Sequence, residues 1–245
     1  MSLVPVYDAP DASASLRTQL LYGELIRVPE SRKAWSRIRC CTDATEGWIR
    51  NDQWTELEES VFEAALPDTI TGCAADLVAH ACTRDGLLIP VLLGSGARQA
   101  KLLEQRYEGS VFASGNSKDT IVQTALLLLN SPEMAGGRSP FGIDSGGLAQ
   151  LAYQSSGQAL KRQPGEQALQ GRALSFIEES EPGDLAFFDG PGGVIHHVGI
   201  IMKDNYIIHC HGRVRIDRID HTGIFNADRR TYTHPLRVIK QILPE

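Results

Sequence analysis

One serine and two histidines have the residue types and positions to do nucleophilic chemistry. Ser145 follows Asp144 at the predicted start of a helix, just after Gly142, and His197 and His209 lie on two later predicted strands. One imidazole can take a nucleophile's proton while a second holds the first in the right direction and tautomer. The helix dipole at position 145 would lower the pKa of a thiol there, but a serine hydroxyl is too weak an acid to benefit as much.

The loop between the two histidine strands decides whether these imidazoles can cooperate. A two-residue turn at Asp204-Asn205 would place His197 and His209 on opposite faces, because side chains alternate along a strand. A three-residue loop over 203–205 would instead pair Gly199 with His209. The two histidines would then be diagonal neighbours on one face, within about 7–8 Å.

Simpler interpretations compete with this one. An Asp-Ser pair at a helix start is commonly just a cap, and histidines in strands are commonly core or surface residues. His197, His209 and His211 could bind a metal, but no carboxylate or cysteine stands at a supporting spacing. We therefore expect no metal and no cofactor.

The rest of the chain indicates an α+β fold with more than one domain. Residues 1–57 alternate in short apolar runs between turns, which predicts a small antiparallel barrel, and 74–116 resemble a weaker second copy. From residue 119 onward two apolar helix candidates precede a run of strands. Helices followed by antiparallel strands are typical of α+β domains, here 119–245.

Composition limits the partners. A net charge of −6 and a pI near 5.7 over 245 residues argue against a nucleic-acid or anionic-membrane partner. The N-terminus has no signal-peptide pattern and no apolar run reaches about 18 residues, so we expect a cytoplasmic protein, or a periplasmic or exported one if a leader was trimmed. The five cysteines lack metal spacing and are expected to be free thiols.

Four motifs occur in order in the second half of the chain: Gly-Gly-Arg-Ser-Pro-Phe-Gly-Ile-Asp-Ser-Gly-Gly-Leu (136–148), Pro-Gly-Asp-Leu-Ala-Phe-Phe (182–188), His-Val-Gly-Ile (197–200) and Ile-His (208–209). Together they resemble the NlpC family of papain-like cysteine peptidases, and the resemblance covers roughly residues 119 to 240. The leading region resembles the bacterial SH3-like domains of the branch that acts on murein peptides. That branch cleaves between γ-D-glutamate and a diamino acid. The resemblance thus implies a papain-like domain preceded by one or two small SH3-like barrels.

The resemblance also assigns roles to residues of this chain. It implies the nucleophile position at Ser145, the base at His197 and the orienting polar residue at His209. The positions it implies for substrate binding are Asp144, Gly146, Gln163 and His196.

The chain departs from the family at three of these positions. Where the family has the nucleophilic cysteine, this chain has Ser145, and where the family has the following serine, it has Gly146. Where the family has an aspartate that helps hold the substrate amine, this chain has Gln163. We expect a catalytically impaired homologue that binds a cell-wall-derived peptide of the L-Ala-γ-D-Glu-diamino acid type. Two alternatives stay open: an active hydrolase, with Ser145 either introduced or acting as a serine nucleophile, or an interaction protein whose SH3-like region binds a protein ligand.

Overall fold

The N-terminal region forms the predicted small antiparallel sheet. The computed structural model describes residues 1–66, 72–113, 115 and 117–243. In this region the strands are β1 Leu3–Tyr7, β2 Leu16–Leu21, β3 Ile26–Ser31, β4 Trp35–Cys40 and β5 Glu46–Arg50, in the order β2-β1-β5-β4-β3. Strand β4 buries Ser36, Ile38 and Cys40 and exposes Arg37 and Arg39, because alternate side chains of a strand point to opposite faces. A 3₁₀ turn (Asn51–Gln53) and helix α1 (Glu59–Ala65) follow.

A second, smaller sheet follows the first. It consists of β6 Val78–Cys82, β7 Leu88–Leu92 and β8 Arg106–Glu108, in the order β7-β6-β8, with a 3₁₀ helix at Ala97–Leu103. Its position matches the predicted second repeat, of which residues 114 and 116 lie outside the described residues. That this sheet is a degenerate SH3-like domain stays a prediction.

The helical part of the second half is short. It contains α2 Lys118–Leu127, α3 Ser145–Ser155 and α4 Pro164–Gln167, with a hairpin of β9 Arg138–Ser139 and β10 Gly142–Ile143 before α3. Every residue of α3 is buried, so this helix is a core element. No helix among the described residues is long and apolar enough to cross a membrane.

The remaining strands form a sheet that closes on itself. They are β11 Arg172–Leu174, β12 Leu185–Asp189, β13 Ile195–Met202, β14 Tyr206–His211, β15 Arg213–Ile219, β16 Gly223–Asn226 and β17 Thr231–Gln241. Their order is β11-β17-β12-β13-β14-β15-β16, and β16 also pairs with β17, which closes β12–β17 into a six-stranded barrel. The α+β fold predicted from the sequence is confirmed.

The two faces of the barrel wall have different neighbours. Val198, Ile200 and Ile208 belong to the same apolar cluster as Leu148 and Ala152 of α3, so they face outward beneath the helix. The alternate positions, including Ile201 and Ile207, form a separate cluster with the other strands and face inward. His197 and His209 lie in the inward-facing register, so both project into the barrel.

The loop between β13 and β14 has the three-residue form on which cooperation of the histidines depends. Gly199 pairs with His209 and Met202 with Tyr206. Asp204 and Asn205 both have left-handed backbone, with φ of 59° and 58°. Both are among the residue types that tolerate that conformation best. The conditional prediction that His197 and His209 share a face is confirmed.

Candidate active site

The first turn of α3 is fixed by the aspartate that precedes it. Asp144 is the N-cap, and its Oδ1 accepts a hydrogen bond from the Gly147 amide at 2.7 Å. The Arg162 guanidinium donates to both carboxylate oxygens, at 2.9 and 2.7 Å, and the Gly136 amide donates to Oδ2 at 2.9 Å. A carboxylate offers about four acceptor positions. All of them are filled by the protein, so a ligand amine would have to displace one of these donors.

Ser145 is the first residue of α3 and is 7% exposed. The hydrogen bonds found among the described residues include none from its Oγ to either histidine. Position 145 nevertheless lies near the end of the barrel that holds the histidines, because Cys210, the neighbour of His209, donates its thiol hydrogen to the Ile143 carbonyl at 3.2 Å. Cys210 itself is buried on the outward face, and burial raises the pKa of its thiol to about 12, so it does not replace the nucleophile.

The two predicted histidines are in direct contact and are anchored by a residue that the sequence analysis missed. His197 Nε2 lies 3.0 Å from His209 Nδ1, and His209 Nε2 lies 3.0 Å from Asp217 Oδ2. Asp217 is 5% exposed, and Arg215 donates to both of its oxygens at 2.7 and 2.9 Å. A histidine–histidine–aspartate relay therefore crosses from β13 through β14 to β15.

A glycine makes room for this relay. Gly199 lies directly opposite His209, and a Cβ atom at position 199 would lie 3.0 Å from His209 Cβ and 2.6 Å from Ile207 Cδ1. The second distance is far shorter than carbon atoms tolerate. Glycine at this position therefore leaves room for the Ile207 side chain and for Cβ of His209.

A second residue missed by the sequence analysis packs on the predicted base. His234, on β17, stacks on His197 with ring centroids 4.1 Å apart and an angle of 23° between the planes. It also meets His209 edge-on, and its Nδ1 lies 2.9 Å from Thr233 Oγ1. Burial, together with the neighbouring imidazoles, lowers the pKa of His234 to about 3. The pKa values of His197 and His209 are also lowered, chiefly by burial, so all three rings are neutral near pH 7.

The three buried imidazoles raise the question of a metal. Nitrogen atoms of His197, His209 and His234 all lie within 4.8 Å of one another. A metal ion lies in the plane of each imidazole that binds it, along the nitrogen lone pair. The nearly parallel, stacked rings of His197 and His234 cannot direct in-plane lone pairs to one point. This arrangement does not suit a three-histidine site; that the site takes no metal stays a prediction.

The other positions predicted to bind substrate, at Gly146, Gln163 and His196, differ in exposure and in the space around them. A Cβ atom at Gly146 would lie 2.6 Å from the Arg162 carbonyl oxygen and 3.2 Å from Pro164 Cδ, so no side chain fits there. Gln163 is the exposed N-cap of α4. His196 is exposed beside the cluster, 6.4 Å from the His197 ring centre. Their roles in binding stay predictions.

The N-terminal sheet is attached to this site through two buried arginines. Arg162 is 1% exposed and donates to Thr18 Oγ1 on β2 at 2.9 Å, besides holding Asp144. Arg138 donates to Glu24 Oε1 at 2.6 Å and to Gln154 Oε1 on α3 at 2.7 Å. Removing either partner of such a buried pair leaves an uncompensated charge. The first sheet therefore helps to fix the helix that presents Ser145.

A cavity of about 730 Å³ lies away from the histidines, against the N-terminal sheet. Its lining includes Tyr22, Trp54, Phe62 and Leu103. The alternative in which the N-terminal region supplies the working surface would use such a cavity, and it stays open.

Two family models match the chain, and they match separate parts of it. The NlpC/P60 family model matches residues 133–231, which contain Ser145, the histidine pair and Asp217. Residues 133–231 are an NlpC/P60 domain. The model of the bacterial dipeptidyl-peptidase SH3 domain matches residues 6–53, the first sheet. The predicted family and the predicted N-terminal SH3-like domain are therefore confirmed.

The relatives and solved structures that resemble the chain cover different shares of it. A γ-D-glutamyl-L-lysine dipeptidyl-peptidase of Bacillus cereus is 26% identical over 226 residues, 79% of this chain and 67% of that protein. The enzyme of the same name from Bacillus subtilis is 33% identical over 97 residues, 39% of this chain and 32% of that protein. The crystal structure of an NlpC/P60 family protein from Bacillus cereus superposes with a TM-score of 0.76 at 19% identity, covering 99% of this chain and 98% of that one. The last comparison supports the fold, and the sequence matches show that residues 133–231 are homologous to the NlpC/P60 domains of peptidases.

Proposed function

We propose that this protein binds a cell-wall-derived peptide beside Ser145 and does not hydrolyse it. The observation that carries the proposal is the residue type at the start of α3, where a buried serine, Ser145, is the first residue of the helix. A hydroxyl is not ionised in the resting state, whereas a thiol at a helix N-terminus next to an imidazole is readily ionised. The relatives named γ-D-glutamyl-L-lysine dipeptidyl-peptidases supply the class of peptide.

The second candidate is slow hydrolysis with Ser145 as the nucleophile. The relay of His197, His209 and Asp217 favours it, because an anchored and neutral imidazole is the group that a serine nucleophile needs. Catalytic hydrogen bonds are often long in ligand-free proteins and shorten only when substrate binds. The absence of a contact from Ser145 to His197 therefore does not decide between the two candidates.

One experiment separates the candidates. The parent protein and Ser145→Cys are incubated side by side with L-Ala-γ-D-Glu-L-Lys and L-Ala-γ-D-Glu-diaminopimelate peptides, and products are detected by mass spectrometry. We expect cleavage by Ser145→Cys and none by the parent, with the parent still binding the peptide in calorimetry. Cleavage by the parent, lost in His197→Ala, would replace the first candidate by the second. If neither protein cleaves or binds the peptide, both are wrong.

A further inference from the structure

The NlpC/P60 domain holds a buried carboxylate, Asp217, that lies outside all the sequence motifs. We propose that Asp217 is a positioning residue that sets the tautomers of His209 and His197, and so leaves Nδ1 of His197 without a proton. The tautomers follow from the hydrogen bonds together with an ionised Asp217 and neutral imidazoles. Only the use of that bare nitrogen as a base rests on the proposed function.

The first step is that Asp217 accepts hydrogen bonds and does not donate them. Burial by itself would raise the pKa of this carboxyl, but hydrogen bonds from His209 and Arg215 and the charge of Arg215 outweigh burial and lower it. Arg215 donates to both oxygens, at 2.7 and 2.9 Å. An ionised carboxylate has no proton to give, so the hydrogen on the contact with His209 belongs to the imidazole.

The second step is that the position of the hydrogen on His209 determines the position of the hydrogen on His197. His209 is neutral, because burial lowers its pKa, and a neutral imidazole carries one N–H. With that hydrogen on Nε2, directed at Asp217, Nδ1 of His209 is a bare acceptor. The 3.0 Å contact from His209 Nδ1 to His197 Nε2 is then a hydrogen bond only if His197 donates it. Neutral His197 therefore carries its hydrogen on Nε2, and its Nδ1 has a free lone pair.

The surroundings offer no equivalent substitute for Asp217. His234 meets both histidines through its ring face and edge, and the hydrogen-bond contact found for it among the described residues is with Thr233. Asp228 shares Arg215 with Asp217, at 2.9 Å, but its side chain is 74% exposed. Asp228 is thus a matched control, because its removal takes one carboxylate from the same arginine without altering the relay.

The decisive measurement is ¹⁵N NMR of the histidine rings, because protonated and bare ring nitrogens have widely separated chemical shifts. His197→Gln and His209→Gln assign the signals. In the parent protein near pH 7 we expect both rings to be neutral with the hydrogen on Nε2. In Asp217→Ala we expect the Nε2–H preference of both rings to be lost, and in Asp228→Ala we expect it to be kept. A hydrogen on Nδ1 of His197 in the parent would overturn the proposal without any variant, as would unchanged tautomers in a folded Asp217→Ala.

An activity readout in the Ser145→Cys background tests the consequence. We expect Asp217→Ala to lower kcat by roughly 10- to 100-fold with little change in KM, and Asp228→Ala to stay within about twofold of its parent. Asp217→Glu keeps an acceptor and should recover part of the loss, which a merely structural role would not predict. If Ser145→Cys itself does not cleave, the proposed function fails, and the NMR result still decides the tautomers. Equal kcat values for the two alanine variants would contradict the positioning role.

Discussion

The buried imidazole cluster makes the stability of this protein depend on pH. His234 has an ordinary pKa of 6.5 that is lowered to about 3 in the folded protein. The unfolded chain therefore binds a proton at pH 5 that the folded protein does not, and stability falls as the pH drops below about 6.5. At pH 5 the pH is about 1.5 units below the pKa of this imidazole in the unfolded chain, and each pH unit corresponds to about 1.36 kcal/mol. Protonation of His234 in the unfolded chain therefore lowers the free energy of unfolding by about 2 kcal/mol.

Substituting His234 isolates its contribution to the pH dependence of stability. His234→Phe keeps an aromatic ring against His197 but cannot take up a proton. The free energy of unfolding is measured by urea denaturation at pH 7 and pH 5 for the parent, for His234→Phe and for His80→Phe, a control at an exposed histidine of β6. We expect the loss between the two pH values to be about 2 kcal/mol smaller in His234→Phe than in the parent, and unchanged in the control. Equal losses in parent and His234→Phe would refute the idea that this imidazole is held neutral.

Two glycines should tolerate substitution poorly, and the same denaturation assay at pH 7 tests both. Gly146→Ser brings a Cβ atom to 2.6 Å from the Arg162 carbonyl oxygen, and we expect a loss of roughly 1–3 kcal/mol, whereas Gly165→Ala on α4, with its nearest contact at 3.4 Å, should cost nothing. Gly199→Ala should cost a similar 1–3 kcal/mol and also shift the ring signals of His209, against which it packs. A stable Gly146→Ser, or a Gly199→Ala with unchanged ring signals, would show that the respective neighbour moves aside easily.

The part of the site that depends on one hairpin could be predicted from the sequence. His197 and His209 are joined by a short loop, and counting loop residues reduced their relation to two arrangements. Asp217 could have been found by one more step of the same kind. Gly212 makes a tight turn between β14 and β15, His209 pairs with Arg215, and Asp217 is its diagonal neighbour on the same face.

His234 could not be found in this way. It reaches the cluster only because β17 returns to close the barrel between β12 and β16. That closure depends on the pairing of strands far apart in the sequence, which no local spacing records. The metal site considered from the sequence had the same weakness. It combined His197 and His209 with His211, whereas the third ring that contacts this pair in the structure is His234.

Two positions at which the resemblance implies a departure from the family, Gly146 and Gln163, belong to one packing contact. The Arg162 backbone and the Pro164 ring occupy the space that a side chain at Gly146 would need, and Gln163 lies between them. Arg162 is in turn fixed by Asp144 and by Thr18 of the SH3 domain, so this segment cannot withdraw without breaking buried hydrogen bonds. Restoring a serine at position 146 alone would therefore strain the site rather than restore it. Ser145→Cys adds no Cβ atom and exchanges only Oγ for Sγ, so it tests the chemistry of the nucleophile position with a small change to its surroundings.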